Sequence, residues 1–183
     1  DYAMADIFLG KVKNDSDYNY LIRLAKWSDH IGDLDSAIRY MEQAKTIAES
    51  SGTKSLKIWI YTNIADYYGH AGRVEDAYKY FLMALQLQPD NAYAKKGIAW
   101  IVYAIEKNTL EANRILDSIM GYHKVPDYYL LKAEMAKFDE NPTEVKKQQE
   151  NFINAVNAAN YGGMYNTYLI ELYAETNPEK ALL

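Results

Sequence analysis

The chain has 183 residues, 49% of them apolar, which is enough for a continuous core, and no run approaches the roughly 20 apolar residues that span a bilayer. Its formal charge is −5 and its only basic doublets are Lys95-Lys96 and Lys146-Lys147, a balance that argues against nucleic acid, whose phosphates want a concentrated positive face. It has no cysteine, which excludes disulfides, thiolate nucleophiles and Cys-ligated zinc.

In chain order, residues 3–12 predict a first helix, with Ile7, Phe8 and Leu9 clustered, either the last helix of a preceding repeat or an N-terminal cap. The chain opens at Asp1 with no charged and then apolar leader, as expected of a processed or excised chain. Asn14-Asp15-Ser16-Asp17 predicts a turn and an N-cap. Two segments 40 residues apart then share a skeleton: Leu24-Ala25, Gly32, Ala37, Tyr40 and Ala44 recur as Ile64-Ala65, Gly72, Ala77, Tyr80 and Ala84. Self-similarity at such a period marks a solenoid, whose units bury their apolar faces by stacking on one another. The alanines are expected where paired helices cross, and Gly32 and Gly72 where a helix end wants a left-handed residue. Asp35 and Glu75 suit the positive ends of the helices that follow. Ser50-Ser51-Gly52-Thr53, within six added residues, predicts a longer second helix and a loop.

A third unit starts 34 residues after the second with Lys95-x2-Ile98-Ala99-x2-Val102, and continues as Ala112-x3-Leu116 after one extra residue in the turn. A fourth, Tyr128 to about Ala159, keeps the two-helix pattern but puts Gln148 where a small residue belongs. Gly162-Gly163 breaks the chain before a short helix, Tyr165 to Tyr173, with Tyr165, Tyr168, Leu169 and Leu172 on one face. Asn177-Pro178 begins another turn, and Glu179 to Leu183 is a short tail.

The second copy reads Tyr61-x2-Ile64-Ala65-x2-Tyr68, then Gly72, Ala77-x3-Phe81, Ala84 and Pro89. It resembles the tetratricopeptide repeat, whose pattern runs Trp-x2-Leu-Gly-x2-Tyr, Ala-x3-Phe and Pro. The resemblance is good over residues 18–126 and loose over 127–160. It implies an all-α, right-handed superhelical solenoid of antiparallel helix pairs forming one domain over 1–183. Within it, 1–17 is an N-terminal segment, 18–57, 58–91 and 92–126 are three repeats, 127–160 is a divergent fourth, and 161–183 is a capping helix and tail.

In that family the first helices of successive repeats line a concave groove that takes extended peptides or helices. By register the groove positions are Asn19, Ile22, Lys26, Asp29 and His30, then Trp59, Thr62, Asp66, Gly69 and His70, then Tyr93, Lys96, Trp100 and Tyr103. The resemblance therefore implies a protein or peptide partner, with Trp59, Tyr93, Trp100 and Tyr103 as apolar anchors and Lys26, Asp66 and Lys96 setting polarity. Trp59 and Trp100 have a second reading, as packing between neighbouring first helices. A carboxylate-gripping set known in some members is not reproduced: Asn63 matches, but Ile22, Lys26, Tyr93 and Gly97 hold the other positions.

His30 and His70 are equivalent residues near helix ends, where the helix dipole favours them as solvated side chains; a metal completed by Asp29, Asp33 or Asp66 is the alternative. We expect no metal, no cofactor and no enzyme activity. There is no phosphate loop, HExxH or nucleophile elbow, and the carboxylates of Asp139 and Glu140 lie in a polar turn before Asn141-Pro142. The alternatives to a protein-binding scaffold are a glycan or cell-envelope ligand module, suited to the same aromatic groove, and a structural arm self-associating end to end through Ile7, Phe8 and Leu9.

Overall fold

Helix starts follow from local chemistry. Asp17, Asp33, Asn108 and Asn141 each accept a backbone hydrogen bond from three residues on, from Tyr20, Ser36, Glu111 and Glu144, at 2.7, 3.1, 3.0 and 3.1 Å. Asn91 does the same for Ala94 at 2.9 Å. Each bond satisfies one of the amides that a helix start leaves unpaired. The computed structural model of the chain describes residues 2–11, 13, 14 and 16–181, and all regular structure among them is helical. Asp15 of the predicted turn, Val12 of the first predicted helix, and Leu182 and Leu183 of the tail lie outside the described residues.

The helices are α1 (Tyr2–Lys11), α2 (Tyr18–His30), α3 (Leu34–Ser50), α4 (Lys54–His70), α5 (Val74–Leu87) and α6 (Ala92–Ala104). There follow α7 (Thr109–Met120), α8 (Asp127–Phe138), α9 (Pro142–Asn157), α10 (Asn166–Thr176) and α11 (Pro178–Ala181). The added residues after the first repeat make α3 longer than α5, 17 residues against 14, and a short turn with Gly52 at φ 71°. The short helix predicted from Tyr165 starts one residue later and runs on to Thr176.

One turn geometry recurs at four helix ends. The residue past each left-handed position donates back to the closing turn: Asp33 to Ser28 and Arg73 to Tyr68 at 2.8 Å, Asn108 to Val102 at 3.1 Å, and Asn141 to Ala136 at 2.9 Å. The left-handed residues are Gly32 (φ 81°), Gly72 (φ 71°), Lys107 (φ 57°) and Glu140 (φ 53°). Glycine takes this conformation cheaply, whereas lysine and glutamate do so against a steric cost. The 102–108 turn spans one residue more, which is the extra residue seen in the sequence.

Two compact units divide the chain, 1–101 and 102–183, with the division falling inside α6. In the first, α1 packs on α2, α2 on α3, α3 on α4 and α4 on α5. Leu21, Met41, Ile60 and Ile64 are fully buried in its core, and the predicted crossing alanines Ala25, Ala37, Ala65 and Ala77 are buried too. A polar clamp ties three helices together: Glu42 of α3 accepts from the hydroxyls of Tyr68 (α4) at 2.8 Å and Tyr80 (α5) at 2.7 Å, and Lys45 donates to the Tyr80 oxygen at 2.9 Å. The Tyr68 and Tyr80 rings stack at 5.5 Å, and the Arg73 guanidinium lies 4.6 Å from the Tyr68 centroid. Burial acts to raise the Glu42 carboxyl, but hydrogen bonds from Lys45, Tyr80 and Tyr68 outweigh it and hold it below the ordinary glutamate value.

In the second unit α7 packs on α8, α8 on α9, and α10 on α11. Gln148 is buried and its amide donates to Glu144 at 2.6 Å, so a polar side chain is satisfied where a small one was expected. Tyr165, Leu169 and Leu172 join the Phe152 core, while Tyr168 is exposed, its ring edge-on to Phe152 at 6.3 Å. The Tyr165 hydroxyl donates to Asp127 at 2.6 Å.

Candidate partner-binding groove

Along α4, Trp59, Thr62, Asn63, Asp66, Gly69 and His70 recur at three- and four-residue steps, which places them on one face. Tyr93, Lys96, Gly97 and Trp100 do the same on α6. The two stripes line one cavity of about 810 Å³, with Val74, Ala77 and Phe81 of α5 contributing to its wall. Gly97 makes the wall possible: a Cβ there would lie 2.1 Å from the Phe81 ring, so the ring occupies the room a side chain would need.

The rim is aromatic and open. Trp59, Tyr93 and Trp100 are 41%, 67% and 40% exposed. Trp59 is held from one side by Tyr18, edge-on at 6.2 Å. Tyr18 itself has a buried hydroxyl with no hydrogen-bond partner among the described residues, and burial pushes its phenol up to about 12. Thr62 donates to the carbonyls of Ile58 and Trp59 at 3.1 and 2.9 Å, and the Asn63 amide donates to Trp59 at 2.8 Å, so both bond to their own helix.

Asp66 is exposed by area yet stands between the walls of the cavity, and crowding by protein raises its carboxyl while the charges of His70 and Lys96 pull it down. The exposed area reflects a mouth open to solvent, whereas the raised value reflects protein on its flanks. His70 is not simply solvated: its Nδ1 stands 2.9 Å from Asp29 Oδ1 on α2, a pair that crosses from one repeat to the next. Among the described residues no group of three or more His, Asp or Glu gathers as a metal site would require.

Of the residues read from the sequence, Trp59, Thr62, Asp66, His70, Tyr93, Lys96 and Trp100 come together around this cavity, whereas Lys26, His30 and Tyr103 do not line it. Lys26 is exposed on α2, and the His30 ring lies 5.8 Å from that of Trp27. Tyr103 departs from the expectation of an open anchor: it is 9% exposed, edge-on to Phe138 at 5.8 Å, because it belongs to the packing of the second unit. The sequence reading places Phe81 only in the repeat pattern Ala77-x3-Phe81 and misses it as a groove residue. Gly97, a glycine inside a helix, permits the close approach of the Phe81 ring but does not announce it, since Gly69 inside α4 has open space over it.

Helix pairs joined by the same left-handed turn, with small residues at their crossings and a groove between first helices, define a helical-repeat protein. The chain, over residues 19–90, matches the family model described as tetratricopeptide repeat. It has the all-α solenoid fold of that type. A solved structure titled "Functional Characterization of Pseudomonas Aeruginosa pilF" resembles it with a TM-score of 0.56 at 13% identity, over 86% of this chain and 76% of that one, a likeness of fold alone. No curated protein gives a significant sequence match.

Proposed function

We propose that the groove between α4 and α6 recruits a protein partner by taking an extended segment of it. Tetratricopeptide repeats act in general as protein-interaction scaffolds. The observation that carries the reading here is the convergence of three exposed aromatic side chains, Trp59, Tyr93 and Trp100, on one cavity. Large aromatics left open to water around a concavity gain most when a partner's apolar side chain covers them. A volume near 810 Å³ admits several side chains rather than one small ion. Replacing Trp59, Tyr93 and Trp100 with Ala is expected to abolish retention of a partner that the unaltered chain captures and that also binds it as a purified protein, while the helical circular dichroism is unchanged. Equal retention by the variant overturns the reading, and selective retention of glycans on an array replaces it with a carbohydrate module. A second surface is the exposed set Met4, Ile7 and Phe8 on α1, for which end-to-end association is the corresponding proposal. Sedimentation of the chain against an Ile7→Glu, Phe8→Glu variant tests it, and a monomer in both excludes it.

A further inference from the structure

Resting on the peptide-groove reading, we propose that the partner segment places a basic side chain, Arg or Lys, on Asp66 against Trp100, about three residues from an apolar side chain seated at Trp59 and Tyr93. The repeat register, an offset of 34 residues, makes Trp59 equivalent to Tyr93, Thr62 to Lys96 and Asp66 to Trp100 on adjacent first helices of one cavity. One end of the groove is therefore aromatic on both sides, and the other sets a carboxylate opposite an indole.

Asp66 is the group left wanting. Among the described residues it has no hydrogen-bond partner, and His70 and Lys96 reach it only through their charge. Its neighbours on α4 are committed elsewhere: Thr62 and the Asn63 amide to the carbonyls of their own helix, and His70 to Asp29. A carboxylate flanked by protein and lacking donors is stabilised by whatever brings them, and a guanidinium offers five in a plane while stacking on an indole. An ammonium satisfies the same site less completely, as a point charge over the ring.

Spacing follows from the helix. Trp59 and Asp66 are seven residues apart, about 10 Å along the axis at roughly 1.5 Å per residue. A segment in the polyproline II form covers that distance in about three residues at roughly 3.1 Å each and returns its side chains to the same face every third residue. Lys96 lies between the two ends by register, so a second basic side chain in the middle of the segment is repelled. The pattern is one apolar residue and one basic residue about three positions apart, with no basic residue between them.

The test is selection of random twelve-residue displayed peptides on the intact chain, followed by titration of the most enriched sequence as a capped synthetic peptide. Enriched peptides are expected to carry that pattern. The synthetic peptide should bind roughly tenfold more weakly to Asp66→Asn and to Trp100→Ala, variants first checked for native circular dichroism. Changing its Arg or Lys to Gln should cost at least that factor on the unaltered chain and clearly less on Asp66→Asn, where only the contact with Trp100 is left to lose. If selected peptides lack a basic residue, or depend on Trp59 and Trp100 but not on Asp66, the basic-anchor proposal falls while the groove reading stands. If no peptide is enriched, or binding ignores Trp59, Tyr93 and Trp100 alike, both fall together.

Discussion

Gly97 lies inside α6, where glycine costs about 1 kcal/mol relative to alanine. Gly97→Ala should nevertheless destabilise, because the new methyl would sit 2.1 Å from the Phe81 ring. The expected net loss is about 1–2 kcal/mol in urea denaturation, and a variant more stable than the parent would show that the ring gives way freely. At Glu42 the sign of a pH dependence follows from its lowered carboxyl. A carboxylate whose folded value is depressed contributes stability that is whole above the unfolded value and lost as pH falls through the folded one. Glu42→Gln should therefore lower stability at pH 7 and flatten its decline below the ordinary value of about 4.5. An unchanged acid limb in denaturant titrations at successive pH values would assign the decline to other groups.

At the scale of elements, the recurring turn gives an internal comparison. Four equivalent positions adopt a left-handed conformation, two with glycine and two, Lys107 and Glu140, without it. Replacing Lys107 and Glu140 with Gly should stabilise by up to about 1 kcal/mol each, and replacing Gly32 or Gly72 with Ala should destabilise by about 1 kcal/mol. Opposite signs at equivalent sites, read as shifts in the urea midpoint, are the signature; equal signs would mean that side-chain contacts rather than backbone conformation set the cost. The glycine positions were legible in the sequence because the residue type announces the conformation. Lys107 and Glu140 were not, because the hydrogen bonds from Asn108 and Asn141 impose that conformation on residues that do not favour it.

Across the whole molecule, protection should follow the number of packed neighbours. α4 is flanked by α3 on one side and α5 on the other, and Ile60, Ile64 and Ala65 have no exposed surface. α1 leaves Met4, Ile7 and Phe8 exposed and packs on α2. Amide hydrogen exchange should therefore be slowest in α4 and among the fastest in α1; equal rates would mean that the chain opens as one cooperative body. The groove thus has on one side a helix packed on both flanks, a support for the aromatic rim and for Asp66.

The repeat period, the crossing alanines and the glycine turns were determined by the sequence alone, since each depends on residues a few positions apart and recurs from unit to unit. The face carrying Trp59, Asp66, Tyr93, Lys96 and Trp100 was implied by the resemblance to the tetratricopeptide repeat, whose register assigns the groove positions. Tertiary structure decided which members of that face stay open: Tyr103 is covered beside Phe138 while Trp100, one turn earlier, is not. It also decided the pairing of His70 with Asp29, 41 residues away, the convergence of Tyr68 and Tyr80 on Glu42, and the entry of Phe81 into the space above Gly97. Periodicity fixes the direction of a side chain from its own helix, but coverage and partnership depend on what a distant helix brings to the same place.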